Sequence, residues 1–329
     1  MRQSFSRLFF MICVGVLVLG MQPRSVGAQE KFTLAVIPDS QQEILKADDD
    51  RLANRLQWLV AHRRELNLAM VLHVGDLLNW DTPDHIQYER ASKAFKLLDD
   101  AGILYALTLG NHDTAATKEG GSAAPGKTNT NQRNTTTFNT YFPATRLKVV
   151  GHTYPDHQVE NAYRVFHAGG LDWLVINLEL WARLGAIDWA RKVIDEHPHH
   201  NVILLTHAFL TAKGEIQADN GGYGDKSPRY IFENLIKPCA NVRLVFSGHV
   251  GSHGYRTDQG EHGNTVYQFL QCYHDGTTNP VRLFEIDPKN KTIATRVYCP
   301  SIDQIKDDGS TLAVQDVEWV RPAEEVLRP

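Results

Sequence analysis

The chain has 329 residues, of which 42% are hydrophobic and 22% are charged. This composition excludes an intrinsically disordered protein, and the length suffices for a large domain that buries its own core. The formal net charge is −4, whereas a sequence-independent nucleic-acid binder needs a net basic face. We therefore expect no nucleic acid as a stable partner.

The first 28 residues have the features of a secretory signal peptide. Arg2 and Arg7 give a positive start, residues 8–21 form an apolar run, and small residues precede a cleavage position after Ala28. The run is short for a membrane span, which needs about 20 apolar residues. We predict cleavage of 1–28, no membrane association of the mature chain and a secreted or periplasmic protein; a retained anchor is the alternative.

Strands and helices alternate in the first third of the mature chain. Residues 31–37, 69–74 and 103–109 are short apolar runs typical of buried strands. Residues 48–66 and 86–98 carry apolar residues at helical spacing. This alternation predicts βαβ units and a sheet covered by helices.

Predicted strands dominate the second half. A hairpin is expected over residues 162–178, around two consecutive glycines, and a helix over 230–237. Further short apolar runs predict strands at 202–206, 242–246, 265–271, 281–286 and 292–298. We assign 29–300 to one domain and 301–329 to a polar C-terminal tail.

Two long segments, 114–137 and 214–228, are loops by composition. Each follows directly on candidate site residues, so we expect a lid or substrate rim, with a plain insertion as the alternative. Three cysteines remain after the signal. Cys272 and Cys299 are the likelier pair if a disulfide forms, and three reduced, buried cysteines are the other interpretation.

Five predicted strands are each followed by a residue of metal-ligand type: Asp39, Asp76, Asn111, His207 and His249. In open α/β sheets ligands bind at the carboxyl ends of strands, and buried charges there are costly unless they are paired or bind a metal. Carboxylate, amide and imidazole donors suit Mn, Zn or Fe(II). A carboxylate such as Asp76 can bridge two ions about 3.5–4 Å apart.

These residues fall in blocks with a familiar order. The blocks resemble those of the calcineurin-like metallophosphoesterase superfamily: Asp39-x-Gln41, Gly75-Asp76-x-x-Asn79, Gly110-Asn111-His112-Asp113, Thr206-His207 and Gly248-His249. Residues 263–268 are similar to a branch of exported bacterial members. The resemblance covers roughly 31–300 and implies a four-layer α/β/β/α sandwich of two mixed sheets flanked by helices.

The resemblance also implies an activity and residue roles. The expected reaction is hydrolysis of a small phosphorylated substrate, a phosphate mono- or diester, by metal-bound hydroxide at two divalent ions. Asp39 and Gln41 would bind the first ion, and Asp76 both. The second ion would be completed by Asn111, His207 and His249. His112 and Asp113 would be catalytic. His112 would steady the phosphoryl oxygens or protonate the leaving group, and Asp113 would orient nearby groups. Asn79 would lie at the substrate.

Three departures from the family pattern affect the site. Gln41 stands where the family has histidine, and Gly251 stands where a second histidine follows His249. His253 is the nearest substitute along the chain, and Asn79 replaces an aspartate or tyrosine. We therefore expect a well-made second metal site and a loose first one. The alternative function is a metal-carrying binding module with a degenerate first site and little turnover.

Overall fold

The computed structural model describes residues 30–222 and 224–323. The predicted signal peptide therefore lies outside the described residues. Within those two ranges, no helix combines the length and the apolar character that crossing a membrane would require.

Strands and helices alternate first and strands dominate later, as predicted. The strands are β1 (Phe32–Ile37), β2 (Leu68–His73), β3 (Tyr105–Leu107), β4 (Ala162–Ala168), β5 (Leu171–Leu178), β6 (Asn201–Thr206), β7 (Val242–Ser247), β8 (His253–Gln259), β9 (Thr265–Gln271), β10 (Val281–Asp287), β11 (Thr292–Cys299), β12 (Gln304–Ile305) and β13 (Leu312–Val314). The α-helices are α1 (Arg51–His62), α2 (Ile86–Ala101), α3 (Thr128–Asn131), α4 (Thr136–Tyr141), α5 (Leu184–Asp195) and α6 (Pro228–Ile231). A π-helical turn, Phe232–Ile236, continues α6, and 3-10 turns cover Gln41–Glu43 and Pro300–Ile302.

The strands form two mixed sheets. In the first, the order is β12-β11-β10-β1-β2-β3, with β13 also paired to β11. Strands β1, β2 and β3 are parallel, whereas β10 to β13 are antiparallel to their neighbours. In the second, the order is β4-β5-β6-β7-β9-β8. Strands β5, β6, β7 and β9 run parallel, with antiparallel β4 and β8 at the edges.

Three hydrophobic clusters hold the layers together. The first lies between one sheet and α1, α2 and α4, and the second lies between the other sheet and α5 and α6. The third joins the inner faces of both sheets and includes Phe32, Trp173 and Phe246. Strands buried on both faces read as near-continuous apolar runs, which is why β1, β6 and β7 were predictable from sequence. The molecule is thus the predicted four-layer sandwich.

Some elements were not predicted. The polar strand β8 is exposed at intervals along its length and carries no buried run. Helix α5 does carry a readable signal, since its buried residues Ile187, Ala190 and Ile194 have helical spacing. Within the segment predicted as loop at 114–137, the short helix α3 and the start of α4 appear.

The segment after residue 300 belongs to the fold. Strands β12 and β13 pair with β11, and Val317 and Trp319 are buried in the cluster between the sheets. Trp319 packs edge-on against Trp173 with ring centroids 5.2 Å apart. The domain boundary predicted at 300 is therefore not a structural boundary, because the polar composition of 301–329 hides two core residues.

Candidate metal centre

Six loops meet at one end of the sandwich. In each sheet three parallel strands direct their carboxyl ends to the same edge: β1, β2 and β3 in one, and β6, β7 and β9 in the other. The loops that follow supply Asp39, Asp76, Asn111, His207, His249 and His274. The strand-end arrangement predicted for five of these residues is therefore present, and β9 adds a sixth.

One group of donors surrounds Asp76. The Asp76 Oδ2 atom lies 3.2 Å from His207 Nε2, which in turn lies 3.1 Å from His249 Nδ1. The ligand atoms of these three residues all lie within 4.8 Å of one another. His207 is oriented through Nδ1, which donates to the Val74 carbonyl at 2.8 Å, so Nε2 faces the carboxylate. This group contains three of the four residues predicted for the second ion, and the fourth is Asn111.

A second group surrounds Asp39. Its Oδ2 atom lies 3.2 Å from His274 Nε2 and 3.3 Å from Cys272 Sγ. Both residues follow β9, and their ligand atoms also lie within 4.8 Å of Asp39 and of one another. Asp39 further accepts the His249 backbone N–H at 3.1 Å, which ties the two groups together.

The donor set fits divalent metal ions. Buried polar atoms are nearly always hydrogen-bonded, yet Asn111 Oδ1 and Gln41 Oε1 are buried and have no hydrogen-bond partner among the described residues. The Gln41 Nε2 atom lies 3.4 Å from Asp76 Oδ2 and 3.2 Å from His274 Nε2. Amide oxygens left without donors on the same loops as these carboxylates and imidazoles are what a cation would satisfy.

Glycines let the ligand loops approach one another closely. A side chain at Gly110 would overlap the Asp76 carboxylate, and one at Gly248 would overlap the Asp39 carboxylate. Each glycine therefore precedes a ligand on its own loop and leaves room for a ligand from another. This is the physical reason for the Gly-Asn and Gly-His blocks in the sequence.

Backbone strain is concentrated in these loops. Asp76 (φ 51°), His249 (φ 75°), Tyr273 (φ 66°) and His274 (φ 37°) all have left-handed conformations. Such conformations cost on the order of 1–3 kcal/mol each and persist only where surrounding contacts impose them, often at functional sites.

The electrostatics of the cluster reflect burial and close pairing. Burial raises the pKa of Asp39, although its hydrogen bond with His274 opposes the shift. Burial acts in the same direction on Asp76, but the adjacent His207 outweighs it and the pKa of Asp76 is lowered. Burial opposes protonation of His207, yet Asp76 raises the pKa of His207 to about 9. Burial, reinforced by His207, lowers the pKa of His249 to about 3.

Asp113 lies behind the metal centre and not in it. Its Oδ1 accepts the backbone N–H groups of Leu77 and Leu78 at 2.8 and 3.1 Å, and its Oδ2 accepts that of Gly110 at 2.8 Å. Only 1% of its surface is exposed. Burial, together with Asp76, raises its pKa to about 7. Asp113 thus positions the loops of two ligands, and its participation in catalysis stays a prediction.

His112 lies at the edge of the cluster and is oriented by Asn79. The His112 Nδ1 atom donates to the Asn79 backbone carbonyl at 2.6 Å, and its backbone N–H donates to Asp76 Oδ1 at 3.1 Å. Since a carbonyl only accepts, Nδ1 carries the proton and Nε2 is the ring atom available for chemistry. The contribution of Asn79 here comes from its backbone carbonyl, whereas the sequence interpretation placed it at the substrate.

The structure does not bring His253 into either group of donors. Its Nδ1 lies 3.8 Å from Asp308 Oδ2, at the start of β8. His274 occupies the place beside Asp39 for which His253 was predicted, because the loop after β9 lies next to the loop after β7. The signal that could have found Cys272 and His274 is the same one used for the other ligands: they directly follow a predicted strand, 265–271.

All three described cysteines are buried and free.

A cleft of about 460 Å³ opens beside His249. Its lining includes Trp181, Gln217 and Asp219. The two segments predicted as a substrate rim, 114–137 and 214–228, meet near it, since Arg133 pairs with Asp225 at 2.5 Å. Arg133 also donates to the Trp181 carbonyl at 2.8 Å, which connects both segments to the cleft wall.

Comparisons with known proteins agree with this geometry. A profile of the calcineurin-like phosphoesterase family matches residues 32–252. The uncharacterized protein YvnB of Bacillus subtilis (strain 168) is 27% identical over 256 residues, which are 75% of this chain and 18% of that protein. The chain therefore spans only a small part of that relative's length.

Two solved structures superpose on this chain, and the first of them is similar in fold. A dimetal phosphatase from Danio rerio superposes with a TM-score of 0.50 at 11% identity, over 86% of this chain and 98% of that one. GAP50, described as the anchor in the inner membrane complex of Plasmodium, has a TM-score of 0.49 at 10% identity, over 88% and 90%. The family profile spans well over half of the chain and includes five of the six strand-end ligand positions. This chain belongs to the calcineurin-like phosphoesterase family.

Proposed function

We propose that this chain is a hydrolase that cleaves a phosphate mono- or diester with two divalent metal ions. The observation that carries the proposal is the convergence of carboxylates, imidazoles and two unpartnered amide oxygens from six loops. Family membership supports the same reaction class. Mn, Zn and Fe(II) suit these donors best.

The residues divide into two binding positions that share a carboxylate. Asp76 Oδ2 has His207 Nε2 at 3.2 Å and Gln41 Nε2 at 3.4 Å. This carboxylate therefore contacts residues assigned to both ions, which suits a bridging role. Asp39 and His274 would hold the first ion. Asn111, His207 and His249 would hold the second. When bound, the ions would lower the pKa of a coordinated water towards neutrality and offset charge on the phosphoryl oxygens.

His112 is the residue best placed to handle a proton. Its ring is fixed by the 2.6 Å hydrogen bond from Nδ1 to the Asn79 carbonyl, and its backbone is tied to Asp76. In its protonated form, Nε2–H can donate to a phosphoryl oxygen or to the departing oxygen. We propose His112 as general acid, with Asn79 as the positioning residue.

The cleft beside His249 supports a small substrate with an uncharged leaving group. Its volume is in the range of small-molecule sites. Among its described lining residues there is a carboxylate, Asp219, and no lysine or arginine. A second phosphate on the leaving group would meet repulsion there and no counter-charge.

The test is hydrolysis of p-nitrophenyl phosphate and bis-p-nitrophenyl phosphate by the mature chain. The protein is stripped of metal and then given Mn, Zn, Fe(II), Ca or Mg in turn. We expect metal-restored turnover, with the preferred ester separating a monoesterase from a diesterase. Asp76→Asn should lower kcat by more than the roughly 10²–10³-fold that loss of one transition-state donor costs.

His253→Gln is the matched control for these substitutions, because His253 lies outside both donor groups. It should retain wild-type turnover. A folded chain that binds metal but hydrolyses neither ester with any ion would point to the alternative, a metal-carrying binding module.

We also propose that the chain is exported and acts outside the cytoplasm, as a member of an exported bacterial branch of the family. The support is the sequence pattern of residues 1–28. Mass spectrometry of the protein recovered from its native cells should give an N-terminus at Gln29. An N-terminus at Met1 would contradict export by cleavage.

A further inference from the structure

We infer that Cys272 binds the first ion as a thiolate, together with Asp39 and His274, and makes that position selective for a thiophilic ion such as Zn²⁺. This inference rests on the proposed two-ion centre and specifies the metal chemistry of one half of it. It departs from the sequence interpretation, which contained no thiolate among the ligands.

The three donor atoms have the spacing of a metal-ligand triangle. Cys272 Sγ lies 3.3 Å from Asp39 Oδ2 and 3.3 Å from His274 Nε2, and the latter two lie 3.2 Å apart. Ligands of a tetrahedral zinc ion, with bonds of about 2.0–2.3 Å, lie roughly 3.3–3.6 Å from one another. The triangle therefore matches one face of such a tetrahedron to within a few tenths of an ångström.

Gln41 is a candidate for the fourth ligand, because it lies beside one member of the triangle. Gln41 is 4% exposed, and its amide lies 3.2 Å from His274 Nε2 while its Oε1 has no hydrogen-bond partner among the described residues. Since the two ends of a glutamine amide are interchangeable by rotation, its oxygen can face the same point as the other donors. The neutral amide alone would bind weakly. Cys272 adds a second anionic donor beside Asp39 once the ion displaces the thiol proton.

The chain is bent sharply to build this triangle. Immediately after β9, Tyr273 and His274 both have positive φ, and the His274 N–H donates to the Cys272 carbonyl at 2.9 Å. This turn folds the imidazole back over the thiol two residues earlier. Two consecutive left-handed non-glycine residues are unfavourable, so contacts around the turn must impose the conformation.

The other cysteines provide an internal contrast. Cys239 and Cys299 are also buried and free, yet neither belongs to a group of potential metal ligands in the described ranges. Of the three cysteines in the described ranges, Cys272 alone has a carboxylate and an imidazole at contact distance. Thiolate donors favour zinc-like ions, whereas Mn²⁺, Mg²⁺ and Ca²⁺ prefer oxygen ligands.

Cobalt substitution tests the inference without relying on activity. The metal-stripped full chain is titrated with Co²⁺ and followed by absorption. We expect a near-ultraviolet thiolate-to-cobalt charge-transfer band in the wild type and in the matched control Cys299→Ser. The band should be absent in Cys272→Ser. Identical spectra for wild type and Cys272→Ser would overturn the inference.

Metal affinity gives a second readout on the same variants. Outer-shell partners already contribute roughly 10–100-fold to metal affinity, so loss of a ligand in Cys272→Ser should weaken Zn²⁺ binding at one of the two positions by at least about 100-fold. Unchanged affinity for both zinc ions would contradict a bound thiolate. Circular dichroism melting confirms that each variant is folded.

X-ray absorption at the zinc edge requires no substitution, so it decides the matter even if Cys272→Ser fails to fold. The zinc-loaded wild type should show a sulfur neighbour at about 2.3 Å, and a shell of only nitrogen and oxygen would overturn the inference. Ester hydrolysis is measured in parallel. A sulfur neighbour without turnover would refute the proposed phosphoesterase and leave the thiolate ligand standing, whereas turnover without sulfur would refute the thiolate alone.

Discussion

At the scale of single residues, the loops around Asp76 depend on a carboxylate that does not face the metal centre. Asp113 accepts three backbone N–H groups, two from the loop after β2 and one from the loop after β3. Because Asp113 is buried, water cannot take its place as the acceptor of these three hydrogen bonds. The positions of Asp76 and Asn111 therefore depend on it.

We expect Asp113→Ala to lower the free energy of unfolding of the metal-free protein by at least about 3 kcal/mol, since each buried donor left without a partner costs about 1–3 kcal/mol. Urea denaturation in EDTA measures this. His253→Gln is the control, because His253 lies outside both donor groups, and it should cost less. An Asp113→Ala protein as stable as the wild type would refute the structural role.

The residue scale also shows what the sequence could predict about the site. Asp39, Asp76, Asn111, His207 and His249 were predictable because each directly follows a buried strand. His274 was not chosen, because counting along the loop after β7 leads to His253. Ser247 at the end of β7 pairs with Leu270 near the end of β9, so the loops after these two strands lie side by side. A ligand from either loop can therefore reach the same position, although His249 and His274 are 25 residues apart in the sequence.

At the scale of elements, α1 joins the two loops that supply the Asp39 group. Arg51 donates to the carbonyls of Gln42 and Asp275, at 3.0 and 2.9 Å. Arg55 donates to the Asn279 carbonyl at 3.1 Å and pairs with Glu43. The helix thus holds the loop after β1 and the loop after β9 in a fixed relation.

Arg55 and Glu43 form a fully buried ion pair, and this makes their variants informative. Burial raises the pKa of Glu43 to about 7 even beside Arg55. Arg55→Met should destabilise the protein by about 3–5 kcal/mol, because Glu43 must then stay charged without a partner or take up a proton. The double variant with Glu43→Gln should recover much of that loss, since both charges are then gone. Thermal denaturation of the two single variants and the double variant measures the coupling. If the losses of stability in the two single variants simply add in the double variant, the two side chains are not energetically coupled.

At the scale of the whole molecule, the end of the described chain closes the space between the sheets. Trp319 is 7% exposed and packs against Trp173 in the central cluster. Trp319→Ala should therefore cost about 3–5 kcal/mol, as large-to-small core substitutions do. Ile305→Ala is the control, because Ile305 is 57% exposed. Equal stabilities of the two variants in urea would show that the tail is not part of the core.

Metal binding should stabilise the whole sandwich, because its proposed ligands come from both sheets. An ion at about 1,000 times its Kd adds about 4.1 kcal/mol, and each kcal/mol corresponds to roughly 2–4 °C in Tm for large domains. Removal of metal by EDTA should therefore lower Tm by about 8–16 °C for each site lost. Calorimetry with and without EDTA measures the shift, and Asp76→Asn should show a smaller one.

The origin of the ligands in both sheets also has a consequence for biosynthesis. Asp39 and Asp76 leave the ribosome roughly 10–50 s before His274, at 5–20 residues per second. During that interval β1 lacks β10, its antiparallel neighbour, and the inner faces of the strands have no opposing sheet. The nascent chain therefore has unpaired strand edges and exposed apolar strand faces. It also contains both carboxylates before His274 is synthesised. The proposed centre therefore cannot be completed until His274 has been synthesised.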